Sequence, residues 1–398
     1  MITLAFLQKS ELHDEYMRRL WSLGIRYFTQ TSFSYLIWIA VSWYNKEVLK
    51  AYTAVYAFEY ILYLSSHFVT GGVTSGIRHD DKTESATAVY VSIIYQFIMG
   101  ALLLVLSEEV IAFLNLKGTL ARTYPYIIVL YTSMFAYIAT NQYFAISEDY
   151  KKAQQSELRF YAGNFIVAAI TMLLTKRYEA AFIAMSVFSY TNLVYHIWAH
   201  IPRAFGVYNV LGWVQNKCIN ITTGIAWFIL SFLNTAQASK AVADFTALNI
   251  INYCYNIMFD MLSNRDDAAQ YYTASGNRDF KGLARANLSF AWKVMVLSGT
   301  VAVCWSLYAT EVNRSLVLFM VFAYSMGAIG QSIYVAPRTY LNVIEKHKGV
   351  FLVTLALIPA RILIGLIPSV YTLGISQLMS LIVISVSTYL MFIKSKTI

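Results

Sequence analysis

Apolar stretches of about 20 residues, each long enough to cross a hydrocarbon core as a helix, recur along the whole 398-residue chain. They fall near 26–44, 51–75, 86–107, 124–146, 158–175, 180–200, 219–238, 242–262, 286–308, 315–336, 350–371 and 374–393. Between them lie short turns and no polar block of domain size. The fold class expected is therefore all-α and membrane-embedded, with about twelve transmembrane helices. Only 13% of the residues are charged, roughly half the share in soluble domains, which leaves no room for a soluble domain. The first twenty residues are polar and charged, so the first span itself would serve as targeting signal, with no cleavable leader. We expect a multi-pass protein of the plasma membrane whose partner is the lipid bilayer.

The net charge of +9 suggests positive-inside asymmetry rather than a nucleic-acid partner. With the N-terminus inside, twenty Lys and Arg residues fall in inner segments and eight in outer loops. Both termini are expected in the cytoplasm. The cysteines, Cys218, Cys254 and Cys304, are widely spaced and lack metal spacing. No Walker-type loop, GxSxG or HExxH occurs, so no catalytic residue is assigned and the chain is not expected to be an enzyme.

The stretch 241–286 carries Asp244, Asn249, Asn252, Asn256 and Asp260 inside an apolar run that ends in Ser275-Gly276-Asn277-Arg278-Asp279. A weaker copy lies in the first half. Residues 51–55 (AYTAV) echo 244–248 (DFTAL), and Thr74-Ser75-Gly76 with Arg78 and Asp80 echoes Ala274-Ser275-Gly276 with Arg278 and Asp279. Asn141-Gln142 in the fourth span resembles Gly330-Gln331 in the tenth. An even number of spans per copy gives two lobes of the same orientation, related by an axis along the membrane normal. The division expected is a cytoplasmic segment 1–25, an N-lobe 26–201 with helices 1–6, a linker 202–218, and a C-lobe 219–398 with helices 7–12.

On these motifs, VADFTALNI at 242–250, SGNRDFKGLARA at 275–286 and GGVTSGIRHDD at 71–81, the chain resembles the multidrug and toxic compound extrusion (MATE) transporters. The wider superfamily includes flippases of lipid-linked saccharides. The resemblance implies two pseudo-symmetric six-helix lobes about a central cavity. It also implies export of an amphipathic organic compound by alternating access, coupled to H+ or Na+. No other cofactor is implied. The first span has no acid, and Thr222-Thr223-Gly224 stands where one branch of the family carries a Glu, so no coupling residue transfers by position.

Read on their own chemistry, acids and amides inside a membrane helix face a cavity or a partner helix, because lipid offers them no hydrogen bonds. Glu59 and Asp260 are the candidates for ion coupling, with an interfacial ion pair as the competing role for each. Asn252, Asn256 and Asp260 share one helix face at spacings of four and eight, which reads as a pathway lining. Arg361, in mid-span after Pro359, would bind an anionic group or pair with an acid, with a snorkelling Arg near the interface, between Pro359 and Pro368, as the competing role. Gln142 and Gln331 line the pathway or stitch helices together, and Tyr60 offers a ring face to a flat or cationic ligand. Asp244 reads as a helix-start acid near Lys240. His196 and His200 have a spacing that suits a metal, yet no further ligand lies nearby, so interfacial histidines are expected and no metal site is assigned. Trp43, Tyr44, Trp198, Trp213 and Trp305 read as interface anchors. Two other functions compete with export. A flippase of a lipid-linked saccharide or other lipid would need several cations in its cavity. A non-transporting membrane partner would keep the scaffold without coupled flux.

Overall fold

The computed structural model describes residues 11–113, 116–204, 206, 230, 233–234, 237–238, 240–277, 279–344 and 348–396. Within these, the side chains of 11–13, 49–61, 63–64, 67, 113, 253, 256–266, 342, 348–351, 353–354 and 395–396 fall outside the described set. Every regular element among the described residues is helical. In order they are α1 (Glu11–Val41), α2 (Glu47–His79), α3 (Lys82–Val105), α4 (Ser107–Phe113), α5 (Thr119–Ile146), α6 (Tyr150–Thr175), α7 (Tyr178–His200), α8 (Val242–Ala274), α9 (Phe280–Tyr308), α10 (Arg314–Val343), α11 (Lys348–Gly365) and α12 (Thr372–Lys396).

Six stretches among the described residues are long and apolar enough to cross a membrane: Lys82–Val105, Tyr150–Thr175, Tyr178–His200, Phe280–Tyr308, Arg314–Leu341 and Thr372–Lys394. The expected span near 219–238 lies mostly outside the described residues. Large apolar side chains stay exposed along these helices, Leu174 at 80% and Leu307 at 61% among them. That is the surface a lipid solvent requires.

The chain divides into two compact units, Thr29–Lys217 and Met1–Phe28 with Cys218–Ile398. In the first, α5 is the central helix and packs against α2, α3, α6 and α7. Its buried face is nearly continuous from Thr123 to Ile146. Trp38 of α1 meets Tyr131 edge-on at 6.4 Å and Phe182 at 5.6 Å, which ties the later part of α1 into this core. In the second unit α10 is central and packs against α8, α9 and α12. The pairs α2–α3, α2–α5, α3–α5 and α5–α7 recur as α8–α9, α8–α10, α9–α10 and α10–α12. The internal echo in the sequence is thus a repeated order of packing.

The turns that close α2 and α8 show how the copies agree and where they part. Both helices run for 33 residues. Each ends in a six-to-one, five-to-two pair of backbone hydrogen bonds around one left-handed residue. After α2 that residue is Asp80 (φ 54°), with Asp81 N–H to Gly76 O at 2.7 Å. After α8 it is Gly276 (φ 86°), with Asn277 N–H to Tyr272 O at 2.9 Å. An aspartate then caps the next helix in both copies. Asp81 accepts from Thr83 and Glu84 N–H, and Asp279 from Gly282 N–H. Gly76 and Gly276 are therefore not equivalent: Asp80 occupies the left-handed position in the first copy. Gly76 lies inside α2, where a Cβ would come within 2.6 Å of the Asp81 carbonyl.

Candidate functional site

Four of the sequence-derived candidates lie on helices whose side chains there fall outside the described set: Glu59 and Tyr60 on α2, Asn256 and Asp260 on α8. Asn252 on α8 and Gln331 on α10 are half-buried. Gln142 on α5 is buried, and its Nε2 donates across to Thr70 Oγ1 of α2 at 3.3 Å. Thr70 in turn donates to Ser66 O at 3.0 Å, and Thr74 to Thr70 O at 2.7 Å. Thr70 of α2 thereby presents its hydroxyl to α5. The α2–α3 contact is also polar. Ser92 donates to Ser65 O at 2.9 Å, and the Gln96 amide donates to Leu62 O and Ser65 Oγ.

Arg361 on α11 is only 2% exposed, and its Nε donates to Ser380 Oγ of α12 at 2.6 Å. Ser376 and Gln377, on the same stretch of α12, are buried as well. Arg338 of α10 donates to the Tyr334 hydroxyl at 3.3 Å. Asp244 accepts from Asn313 Nδ2 at 2.7 Å. Asn313 also caps α10 through Leu316 N–H and donates its own N–H to Ala243 O. Asp244 is thus a hydrogen-bonded structural acid at the start of α8.

A second group of buried polar residues lies where the sequence offered only a polar leader. Arg19 and Arg26 of α1 are 2% and 0% exposed. The Arg26 guanidinium stands 3.9 Å from Asp267 of α8, and the Tyr27 hydroxyl donates to the same carboxylate at 3.1 Å. Arg19 lies over the Tyr271 ring at 3.8 Å. Tyr16 donates to Asn287 Oδ1 of α9 at 2.9 Å. The signal was present as an apolar stripe, Tyr16, Leu20, Leu23 and Tyr27, at helical spacing.

The third group is the densest in titratable side chains. Glu157 of α6 has no exposed surface, and Asn141 Nδ2 of α5 donates to its Oε1 at 3.0 Å. Ser156 donates to Asn141 Oδ1 at 2.6 Å, and the Tyr137 hydroxyl to Ser156 O at 3.1 Å. On α7, His196 is 4% exposed and packs on Tyr137 and Phe144, with ring centroids 5.0 and 5.3 Å away. The His200 ring is 5.3 Å from His196, and Lys152 Nζ donates to His200 Nδ1 at 3.2 Å. His200 is half-buried, whereas His196, expected at the interface, is folded into the α5–α7 packing. Glu157 was passed over because it lies in the basic stretch 147–159.

Among the described residues no three His, Cys, Asp or Glu side chains converge to hold a metal ion. Trp43, Trp198 and Trp305, read from the sequence as interface anchors, are 54%, 68% and 45% exposed, whereas Trp213 lies outside the described residues. Two clefts, of about 490 Å³ beside Arg122, Tyr126 and Glu179 and about 440 Å³ beside Trp292, Gly299 and Ser325, include none of the sequence-derived candidates in their lining.

No family model matches the chain. No curated protein sequence matches it either. Solved structures match it over nearly its full length. A MATE structure in complex with MaL6 superposes with a TM-score of 0.76 at 14% identity, covering 97% of this chain and 98% of the other. The MATE transporter VcmN of Vibrio cholerae gives 0.75 at 12% identity, covering 96% and 97%. A transporter of the MOP superfamily from Pyrococcus furiosus, described as having a binding pocket of reverse polarity, gives 0.66 at 14% identity, covering 95% and 96%. At such identities the likeness is one of fold. The chain has the all-helical fold of MATE transporters, as the motif resemblance implied, and is an integral membrane protein.

Proposed function

We propose that the chain is a secondary transporter that exports an amphipathic organic compound by alternating access, driven by H+ or Na+. The observation that carries this reading is the match of nearly the whole chain to structures of transporters. A partial match would leave room for a different protein built on one shared lobe. The proposal includes twelve spans in two six-helix lobes, both termini in the cytoplasm and residence in the plasma membrane. It assigns ion coupling to Glu59 and Asp260. The substrate path is assigned to Asn252, Asn256, Arg361, Gln142, Gln331 and Tyr60. An ion moves the outward–inward balance only by its difference in affinity for the two states, so a coupling acid must change its surroundings between them.

The test is flux in proteoliposomes of the purified full-length chain, under an imposed pH or Na+ gradient, with a panel of amphipathic dyes and drugs. Gradient-dependent flux that Glu59→Gln abolishes supports the reading. Absence of flux for the panel under both gradients would sink it and favour a non-transporting partner. One observation favours a second reading, the flipping of a lipid-linked saccharide or other lipid. Arg361 is a cation buried in an apolar helix, where a phosphate could pair with it. Movement of a fluorescent anionic lipid between leaflets, lost in Arg361→Gln, would select that reading.

A further inference from the structure

We infer that the cleft between the starting ends of α5 and α7 is a binding site for a zwitterionic phospholipid, with its phosphate against Arg122 and its ammonium against Glu179. The cleft, of about 490 Å³, is lined by Arg122, Pro125, Tyr126 and Val129 of α5 and by Glu179 of α7. That volume is in the range of small-molecule pockets, about 300–1,000 Å³. Arg122 is the fourth residue of α5 and Glu179 the second of α7. The stretch Tyr178–His200 is long and apolar enough to cross a membrane, so a residue in its first turn stands at the level of lipid headgroups.

The two charges are not consumed by each other. Among the described residues Arg122 forms no ion pair. Glu179 has one, with Arg177 Nε at 3.9 Å, and the Arg177 side chain is 73% exposed. A pair so exposed contributes little and exchanges readily with a ligand. Arg122 and Glu179 are both near enough to Tyr178 to act on its hydroxyl, so they share one electrostatic neighbourhood. Pro125 adds an acceptor. It has no N–H, so the Ala121 carbonyl four residues earlier lacks its usual helical donor. One cation from α5 and one carboxylate from α7 match the phosphate and the ammonium of a single headgroup. A headgroup that is only anionic would meet Glu179 as repulsion.

Deeper in, the lining turns apolar. Val129 lies seven residues past Arg122, about 10 Å along α5 at 1.5 Å per residue. Its carbonyl accepts from the Tyr190 hydroxyl of α7 at 3.5 Å, and Phe97 of α3 stacks on the Tyr190 ring at 6.0 Å, so α7 meets α5 again there. Ile183 and Val187, four and eight residues after Glu179 on one face of α7, are 52% and 62% exposed. An acyl chain leaving the cleft has this apolar track to lie on. Charges at the helix ends with exposed apolar side chains below them repeat the order of groups in a phospholipid. A soluble zwitterion would gain nothing from the track. The site lies outside the substrate path proposed above and does not depend on transport.

Native mass spectrometry of the purified, delipidated full-length protein in detergent reads the site. Dioleoyl phosphatidylethanolamine or dioleoyl phosphatidylglycerol is titrated in, and the fraction of protein carrying one lipid is followed. Phosphatidylethanolamine is expected to bind more tightly than phosphatidylglycerol, whose headgroup has no ammonium. Arg122→Gln removes the phosphate partner and should weaken both lipids. Glu179→Gln should weaken phosphatidylethanolamine alone, by about two- to fivefold, the effect of one exposed ion pair. Phosphatidylglycerol should bind that variant as well as the parent or better, which also shows that the protein is folded. Equal affinity of the parent for the two lipids would mean an unspecific lipid coat and overturn the site. A preference for phosphatidylethanolamine that survives Glu179→Gln would overturn it too. Glycerophosphoethanolamine, the headgroup without chains, should bind far more weakly. If it matches the intact lipid, the ligand is a soluble zwitterion and the lipid assignment falls.

Discussion

Arg26 on α1 and Asp267 on α8 meet at 3.9 Å with side chains 0% and 7% exposed. The pair lies in one compact unit, although its members are far apart in sequence. Removing one partner leaves an uncompensated buried charge, which costs about 3–5 kcal/mol, whereas replacing both by apolar groups of similar volume is often neutral. Arg26→Ala or Asp267→Ala should therefore lower the melting temperature in detergent sharply. The double variant Arg26→Met with Asp267→Leu should recover most of it. A single variant that melts with the parent would refute the account.

Gly100 of α3 sits against the Thr132 side chain of α5, and a Cβ there would come within 2.9 Å of Thr132 Cγ2 and 3.1 Å of its Cβ. A branched carbon near the backbone cannot swing away. Gly100→Ala should cost about 1–3 kcal/mol, the usual range for overpacking. Thr132→Ala in the same chain should relieve it. Melting curves of the single and double variants decide the matter.

The left-handed residues after α2 and α8 predict opposite responses. Gly276→Ala puts a Cβ into that conformation at a cost of roughly 1–2 kcal/mol. Asp80→Gly, in the matching place, removes the Cβ already held there and should be neutral or slightly stabilising. Chemical unfolding in detergent would show both signs, and a destabilising Asp80→Gly would argue that its side chain has another task.

Ser380 supplies an acceptor to the buried Arg361 guanidinium at 2.6 Å. Hydrogen bonds to charged groups contribute about 1.5–3 kcal/mol. Ser380→Ala should therefore destabilise clearly, and Ser380→Thr, which keeps the hydroxyl, much less. Equal melting temperatures for all three proteins would mean that the Arg361 bond contributes nothing measurable.

Much of the fold could be read before any coordinates. Apolar runs of membrane length and the echo of 51–81 in 244–279 follow from local chemistry: lipid forces helices, and turn-forming residues mark where they end. The roles of the glycines were harder. Gly76 and Gly276 match in sequence, but the first is needed for close packing and the second for a turn, and only the hydrogen-bond register separates them. The site was less legible. Asn252 and Arg361 stood out because a polar residue in an apolar run is visible on its own. Arg26 and Glu157 did not, because each sits beside other charges in stretches that read as solvated. Their burial depends on Asp267 and Asn141, partners that no local pattern points to.

Asn313 bonds Asp244 with its amide, Ala243 with its backbone and Leu316 with its side-chain oxygen. One residue thereby pins the starting ends of α8 and α10 to each other. Two rods fastened at one end behave as tweezers, so separation of these helices grows with distance from Asn313. Any widening would thus be greatest toward the far end of α8, at Asp267 and Tyr271, and least beside Asp244.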